Sequence, residues 1–158
     1  MIAHHLLFLL KPKRKPDFVI GNPDNPYLLR WWLIPRNRWL NVYLHRIRRS
    51  DDDRAKHDHP WLSVSLMLAG EIIEHFDWHR HALTRHIRAG HLTWRSPWFA
   101  HRLEVRPGHW GCWTLFITGP IMRKWGFHCP ETSPAGGWRY WKDFTAPADR
   151  GQIGKGCD

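Results

Sequence analysis

The sequence predicts an all-β domain, a sandwich, barrel or jelly roll assembled from many short strands. Apolar residues alternate or run in short stretches along most of the chain. Twelve glycines and twelve prolines punctuate those stretches at close intervals. Hardly any segment sustains a helical period. With 158 residues and 42% hydrophobic content the chain suits one domain with one substantial core. Twelve tryptophans outnumber phenylalanine and tyrosine together, which fits a wide cavity with ring edges reaching solvent.

Taken in order, residues 1–38 read as an N-terminal arm with a short helix or strand. The apolar opening Ile2 to Leu10 resembles a docked strand more than a secretory leader, because its basic residues follow the apolar run. It is also far too short to span a bilayer, so no transmembrane segment is expected. "YLLRWWLIP" predicts a short helix stopped by Pro35. "RWLNVYLHRIRRS" alternates, with Leu40, Val42 and Leu44 on one face and Tyr43, His45 and Ile47 on the other, as in a strand. Trp61 to Leu68 is an apolar run ending at Ala69-Gly70, and "EIIEHFDW" follows at once, which predicts a hairpin around Gly70. "HLTWRSP", "HRLEVRPG" and "CWTLFITGP" give further strands. "RKWGFHCP" and "WRYWKDF" give two last aromatic ones, so that Trp39 to Phe144 supply most of the sheet. Residues 147–158 read as a flexible tail.

Charge and cysteine content narrow the classes. A net charge of +10 favours anionic ligands, but no zinc-finger, leucine-zipper or helix-turn-helix pattern accompanies it, so a nucleic-acid partner lacks a motif. Three widely spaced cysteines, Cys112, Cys129 and Cys157, are not a disulfide framework, and a reducing, cytoplasmic setting is expected. Cys112 and Cys129 with His128 lack the close cysteine pair of a structural zinc site.

The chemistry concentrates at "DRAKHDHPWLSVSLMLAG". On a strand, residues two apart share a face, so His57 and His59 project together with Asp58 opposite. Two imidazoles so placed can chelate one divalent ion. The same parity runs through Trp61, Ser63, Ser65 and Met67, which would line a cavity. Downstream, "AGHLTWRSPWFAHRLEV" sets His101 at the head of an alternating strand behind Gly90 and Pro97.

These residues resemble the two motifs of the cupin superfamily. His57 and His59 match the first motif's His-x-His, Gly70 its closing glycine, and His101 the late histidine of the second, with Gly90 and Pro97 near their expected places. The motifs cover about Asp53 to Val105. Ser63, or Val64 with a one-residue shift, stands where the first motif carries glutamate. Phe99 replaces the glycine of Pro-x-Gly, and Glu104 stands where asparagine is common. The arrangement is similar to the three-histidine, cysteine-dioxygenase-like variant. The resemblance implies an all-β, cupin-like jelly-roll β-barrel over residues 39–146. It also implies one divalent transition metal on His57, His59 and His101, ferrous iron favoured, with zinc, manganese or nickel as substitutes.

A further ligand could come from Glu71, Glu74 or His75; the two glutamates have opposite parity, so a regular strand turns at most one inward. Arg54 is the candidate anion contact at the rim, and Trp61, Ser63, Trp94 and Trp113 are candidates for the substrate-binding wall. The expected function is that of a metal-dependent enzyme, an iron dioxygenase acting on a small, possibly anionic, organic molecule. The competing classes are a non-catalytic metal-stabilised binding protein and a nucleic-acid accessory or modifying protein. Surplus aromatic surface points to a homodimer.

Overall fold

The computed structural model describes residues 2–22, 24–51, 55–79, 81–146, 152–153 and 156–158. Arg54 and most of the expected 147–158 tail lie outside the described residues. The chain opens with helix α1 (Ile2–Leu10), then β1 (Phe18–Asn22), β2 (Asn25–Trp32), β3 (Asn41–Ile47) and the short β4 (Lys56–His57). The long β5 (Ser63–Trp78) follows, then β6 (His81–Arg88), β7 (Leu92–Arg95), β8 (His101–Glu104) and β9 (Cys112–Thr118). The last elements are β10 (Gly126–Cys129), β11 (Gly137–Tyr140), α2 (Trp141–Phe144) and the pair β12 (Thr145–Ala146) and β13 (Gln152–Ile153).

Eleven strands form one sheet in the order β1-β2-β3-β9-β5-β8-β4-β10-β11, with β6 and β7 also paired to β5. The expected β-barrel is not formed. Closure requires the first and last strands of the path to pair, and among the described residues β1 and β11 remain open ends. The reason lies in β5. Its first half, Ser63 to Gly70, pairs with β9 and, over Ser63 to Leu66, with β7 on its other side; its second half pairs with β6 and β8. One strand therefore serves two leaves, and a single cavity is lined from both.

Three local expectations also change. The "YLLRWW" segment is strand β2, not a helix, because every residue from Leu28 to Trp32 has a partner on β3. An apolar run that short does not reveal its own period, and the neighbouring strand decides it. Residues 2–10 take the helical form instead, with Leu6, Leu7 and Leu10 packed on Trp31, Leu44 and Leu68. No hairpin forms at Gly70. The strand passes through it with a register shift between Met67 and Ala69 and runs on to Trp78, which pairs with His81 of β6. Gly70 has φ of +83° and abuts the backbone of Gly111 and Cys112, so glycine satisfies both the left-handed backbone and the close approach.

The main core joins the leaves through Leu28, Ile47, Met67, Ile72, Ile87, Leu103, Val105 and Cys112. Cys112 is a free, buried thiol pushed up to about 12 by burial, so it packs as a small apolar group. A second cluster of Ala55, Phe127, Cys129 and Phe144 seats the C-terminal segment. Contrary to the expectation of free thiols, Cys129 and Cys157 form a disulfide.

Candidate metal centre

His57 enters from β4, His59 from the extended segment after it, and His101 from the start of β8, where His57 and His101 are direct cross-strand partners. The three rings offer ligand nitrogens that all lie within 4.8 Å of one another. Nε2 of His59 is 3.0 Å from Nε2 of His101. Two nitrogens so spaced match neighbouring ligands at about 2.1 Å from one ion. Asp58, between the two histidines in sequence, faces away into a separate network. It accepts from the Gly126 backbone N–H at 2.8 Å and from Trp138 Nε1 at 2.9 Å, with His128 at 3.0 Å and Arg123 at 2.7 Å. Those contacts pin the His-x-His backbone to β10, β11 and the segment before them.

Behind the histidines sit carboxylates. Glu74 is fully buried, and its Oε1 lies 2.5 Å from His101 Nδ1 and 2.6 Å from Arg95 Nε, while its Oε2 takes Arg85 Nε at 2.5 Å. Burial alone would raise the Glu74 carboxyl, but the His101 hydrogen bond and the Arg95 charge outweigh it and hold the group below its ordinary range. A carboxylate there fixes the proton of His101 on Nδ1 and leaves the Nε2 lone pair free. Asp51 Oδ2 approaches His57 Nδ1 at 3.8 Å while accepting the Leu103 N–H at 2.7 Å. Burial pushes His101 down to about 4 and His59 well below 6.5, and neighbouring cationic groups reinforce both shifts. Both imidazoles are therefore neutral at pH 7, the form that binds metal.

The cluster opens into a cavity of about 410 Å³, the size of a small-ligand site. Its wall includes Leu28, Ile47, Ile72, Phe116, Trp125 and Phe127. Arg30 and Trp61 are two of the polar groups that line it away from the three clustered histidines. Arg30 on β2 lines it, donating Nε to His45 Nε2 at 2.8 Å and stacking over Tyr43. Burial lowers its guanidinium to about 10, so it stays charged at neutral pH. Trp61 also lines the cavity, and its buried indole N–H has no hydrogen-bond partner among the described residues.

The other candidates separate in space. Glu71 faces His86 and Arg88, and His75 faces Glu104, both away from the cavity lining; of the three candidate additional ligands, Glu74 alone contacts the histidine cluster. Ser63 is buried, and its hydroxyl has no hydrogen-bond partner among the described residues. Trp94 is 70% exposed, and Trp113 stacks on Trp31 away from the cavity. Arg30, Asp51 and Arg95 were not picked out by sequence reasoning. His45 had a signal, since its alternation with the buried Tyr43 and Ile47 put it on the inner face.

No family model matches the chain, and no curated protein sequence does. Among solved structures it is similar to a conserved Klebsiella pneumoniae protein with a double-stranded β-helix domain. The TM-score is 0.51 at 17% identity over 68% of this chain and 89% of that one. That likeness shows the fold, an all-β architecture of the double-stranded β-helix kind. Weaker similarities are to hydroxypropylphosphonic acid epoxidase from S. wedmorenis and to a cupin superfamily protein from Desulfitobacterium hafniense. The first has a TM-score of 0.47 at 16% identity, over 74% of this chain and 72% of that one. The second has a TM-score of 0.45 at 13% identity, over 60% and 77%. Both scores are too low for a shared fold to follow from them. The three-imidazole cluster, opening on a ligand-sized cavity, suggests a bound divalent metal. No helix among the described residues is long and apolar enough to cross a membrane.

Proposed function

We propose that the chain is a metal-dependent enzyme of the cupin kind, a dioxygenase acting on a small organic anion. His57, His59 and His101 hold its metal, with ferrous iron the favoured ion. One observation carries the reading: three imidazole nitrogens converge on a cavity large enough for a ligand, with a buried carboxylate fixing the tautomer of one of them. Iron bound there would supply redox chemistry with dioxygen that zinc cannot.

The protein's own groups do the rest. Glu74 keeps the His101 proton on Nδ1. Arg30 presents a charged, planar fork to the cavity, suited to a carboxylate or phosphonate. The unpartnered Trp61 N–H is a second donor for such a ligand. The apolar wall excludes water and strengthens both contacts.

The test is anaerobic purification with elemental analysis, followed by oxygen uptake with a panel of small carboxylates and phosphonates. Stoichiometric iron that disappears in a folded His57, His59 and His101 triple-alanine variant, with ligand-dependent oxygen uptake, supports the reading. Full metal occupancy in that variant refutes the site. Zinc alone, with no iron-dependent oxygen uptake, keeps the site and removes the dioxygenase. A non-catalytic, metal-stabilised binding protein has one observation in its favour: Glu74, the buried carboxylate nearest the cluster, is taken up by Arg85, Arg95 and His101 and is not free to serve as a base. Unfolding on chelation would favour that second reading.

A further inference from the structure

The outer face of the leaf built by β1, β2, β3, β9, β7 and the first half of β5 is apolar and incompletely covered. Cross-strand partners point to the same side, so Leu66, Leu92 and Leu115 share that face, as do Val64, Trp94 and Ile117. Helix α1 covers part of it with Leu6, Leu7 and Leu10. The rest of α1 stays bare, with Ile2 and Leu9 at the margin of the docked side and Phe8 on the far side: Ile2 is 88%, Phe8 80% and Leu9 66% exposed. Leu92 and Trp94, at 69% and 70%, add to the uncovered apolar surface on β7.

Charge around this surface has one sign. Helix α1, β2, β3, β7, β9 and residues 63–70 contain no aspartate or glutamate. Lys11, Lys13, Arg14 and Lys15 follow α1 directly, and the three lysines are exposed. Asp17, the first acidic residue of the chain, is engaged by Arg14 at 2.5 Å.

We infer that this face docks on an anionic lipid surface. Ile2, Phe8 and Leu9 would enter the headgroup and acyl boundary, Trp94 would sit at the interface, and the lysines would pair with lipid phosphates. Apolar side chains with flanking cations are what such a surface recognises. Charge argues against a second copy as the occupant, since a chain of net +10 would bring like charges together. Aliphatic Ile2, Leu9 and Leu92 argue against nucleic acid, which takes cations and stacking rings. None of these side chains lines the cavity, so the inference stands apart from the metal centre.

The experiment is co-sedimentation of the full chain with vesicles of phosphatidylcholine alone or mixed with phosphatidylglycerol, at low and high salt. The mixed vesicles should pellet the protein at low salt and release it at high salt, with little binding to phosphatidylcholine alone. Replacing the exposed Lys11, Lys13 and Lys15 by alanine should weaken binding on the order of a hundredfold, at about fivefold per cation. Phe8→Ser with Leu9→Ser should weaken it by about tenfold or more, with an unchanged far-ultraviolet spectrum. Equal binding to both vesicle types, no binding to the mixed vesicles at low salt, or indifference to the Phe8 and Leu9 changes each overturns the inference. Self-association abolished by Phe8→Ser with Leu9→Ser, without vesicle binding, overturns it in favour of a second copy. Oligonucleotide binding lost with the three lysines, again without vesicle binding, overturns it in favour of nucleic acid.

Discussion

Glu74 and His101 meet at 2.5 Å, carboxylate oxygen to Nδ1, from adjacent strands in a part of the sheet where neither side chain has access to solvent. A carboxylate in that position raises the basicity of the opposite ring nitrogen and holds the ring plane. Glu74→Gln, nearly isosteric, should therefore lower affinity for a divalent metal by about 10- to 100-fold. It should also destabilise the fold, because Arg95 loses its buried counter-charge. Titration of the variant with ferrous or zinc ion, read by calorimetry, checks the first effect. Unchanged affinity would show that the carboxylate serves the arginines alone.

Stability should fall as pH drops from about 6.5 to about 4. The unfolded chain protonates these histidines near 6.5, whereas in the fold burial keeps His101 neutral down to about 4 and His59 neutral to well below 6.5. In that window the unfolded state binds more protons, so acid favours unfolding. Below the ordinary value of 4.5 the depressed Glu74 carboxyl adds a loss of the same sign. Thermal melts across this range, without added metal, test it. A melting temperature that is flat or rises towards pH 4 would contradict the assignment of neutral buried imidazoles.

Arg30→Met should raise the KM for a small anionic ligand by about 10- to 100-fold, the loss expected for a charge-assisted hydrogen-bonding partner. Arg30→Lys should fall between the two, since it keeps the charge and loses the planar fork. Metal content should not fall, because Arg30 makes its contacts with His45 and Tyr43 and its charge acts on His59 only by disfavouring a cation there. Identical ligand affinity in Arg30→Met would remove Arg30 from the binding site.

Gly70→Ala should cost about 3 kcal/mol or more, combining the left-handed backbone penalty with overpacking. The added methyl group has nowhere to go, because its nearest neighbour would be the carbonyl oxygen of Gly111. Urea denaturation measures the loss. Gly90→Ala is the control. It shares the positive φ but its added methyl group meets nothing within 4 Å among the described residues, so it should cost about 1–2 kcal/mol.

Asp58→Ala should destabilise the chain by about 3–5 kcal/mol, because four donors converge on a carboxylate that is only 1% exposed. It should also lower metal affinity, since the residues on either side are His57 and His59. Chemical denaturation and metal titration of the same variant separate the two effects. A stable variant with intact affinity would show the network to be dispensable.

Much of the site was legible because strand alternation is arithmetic. His57 and His59 share a face for that reason, and the Gly90 and Pro97 context located His101. The reading failed where that arithmetic breaks. Ser63, Ser65 and Met67 are buried on odd positions, but after the irregularity at Met67–Ala69 the buried positions become Ile72 and Glu74. Parity counted straight through Gly70 would turn Glu71 inward instead of Glu74, and a glycine in an apolar run looks the same whether it makes a turn or a bulge. Arg30 was hidden in a segment read as helical, whose state is set by β3 rather than by its own pattern. The open sheet was equally invisible, since closure depends on which strands become edges and short strand signals do not encode that.

The Cys129–Cys157 bond gives the cavity wall a different covalent topology from the rest of the domain. Everything between the two cysteines belongs to a ring, and that ring carries Trp138, which grips Asp58, and Trp141, Phe144 and Thr145, which line the cavity. A single protease cut inside the ring therefore leaves both pieces attached and the wall tethered. The same nick under reducing conditions sets the downstream piece free. Digestion with and without reductant would thus give one apparent mass for the intact wall and two fragments for the released one, a difference that no change in hydrogen bonding could imitate.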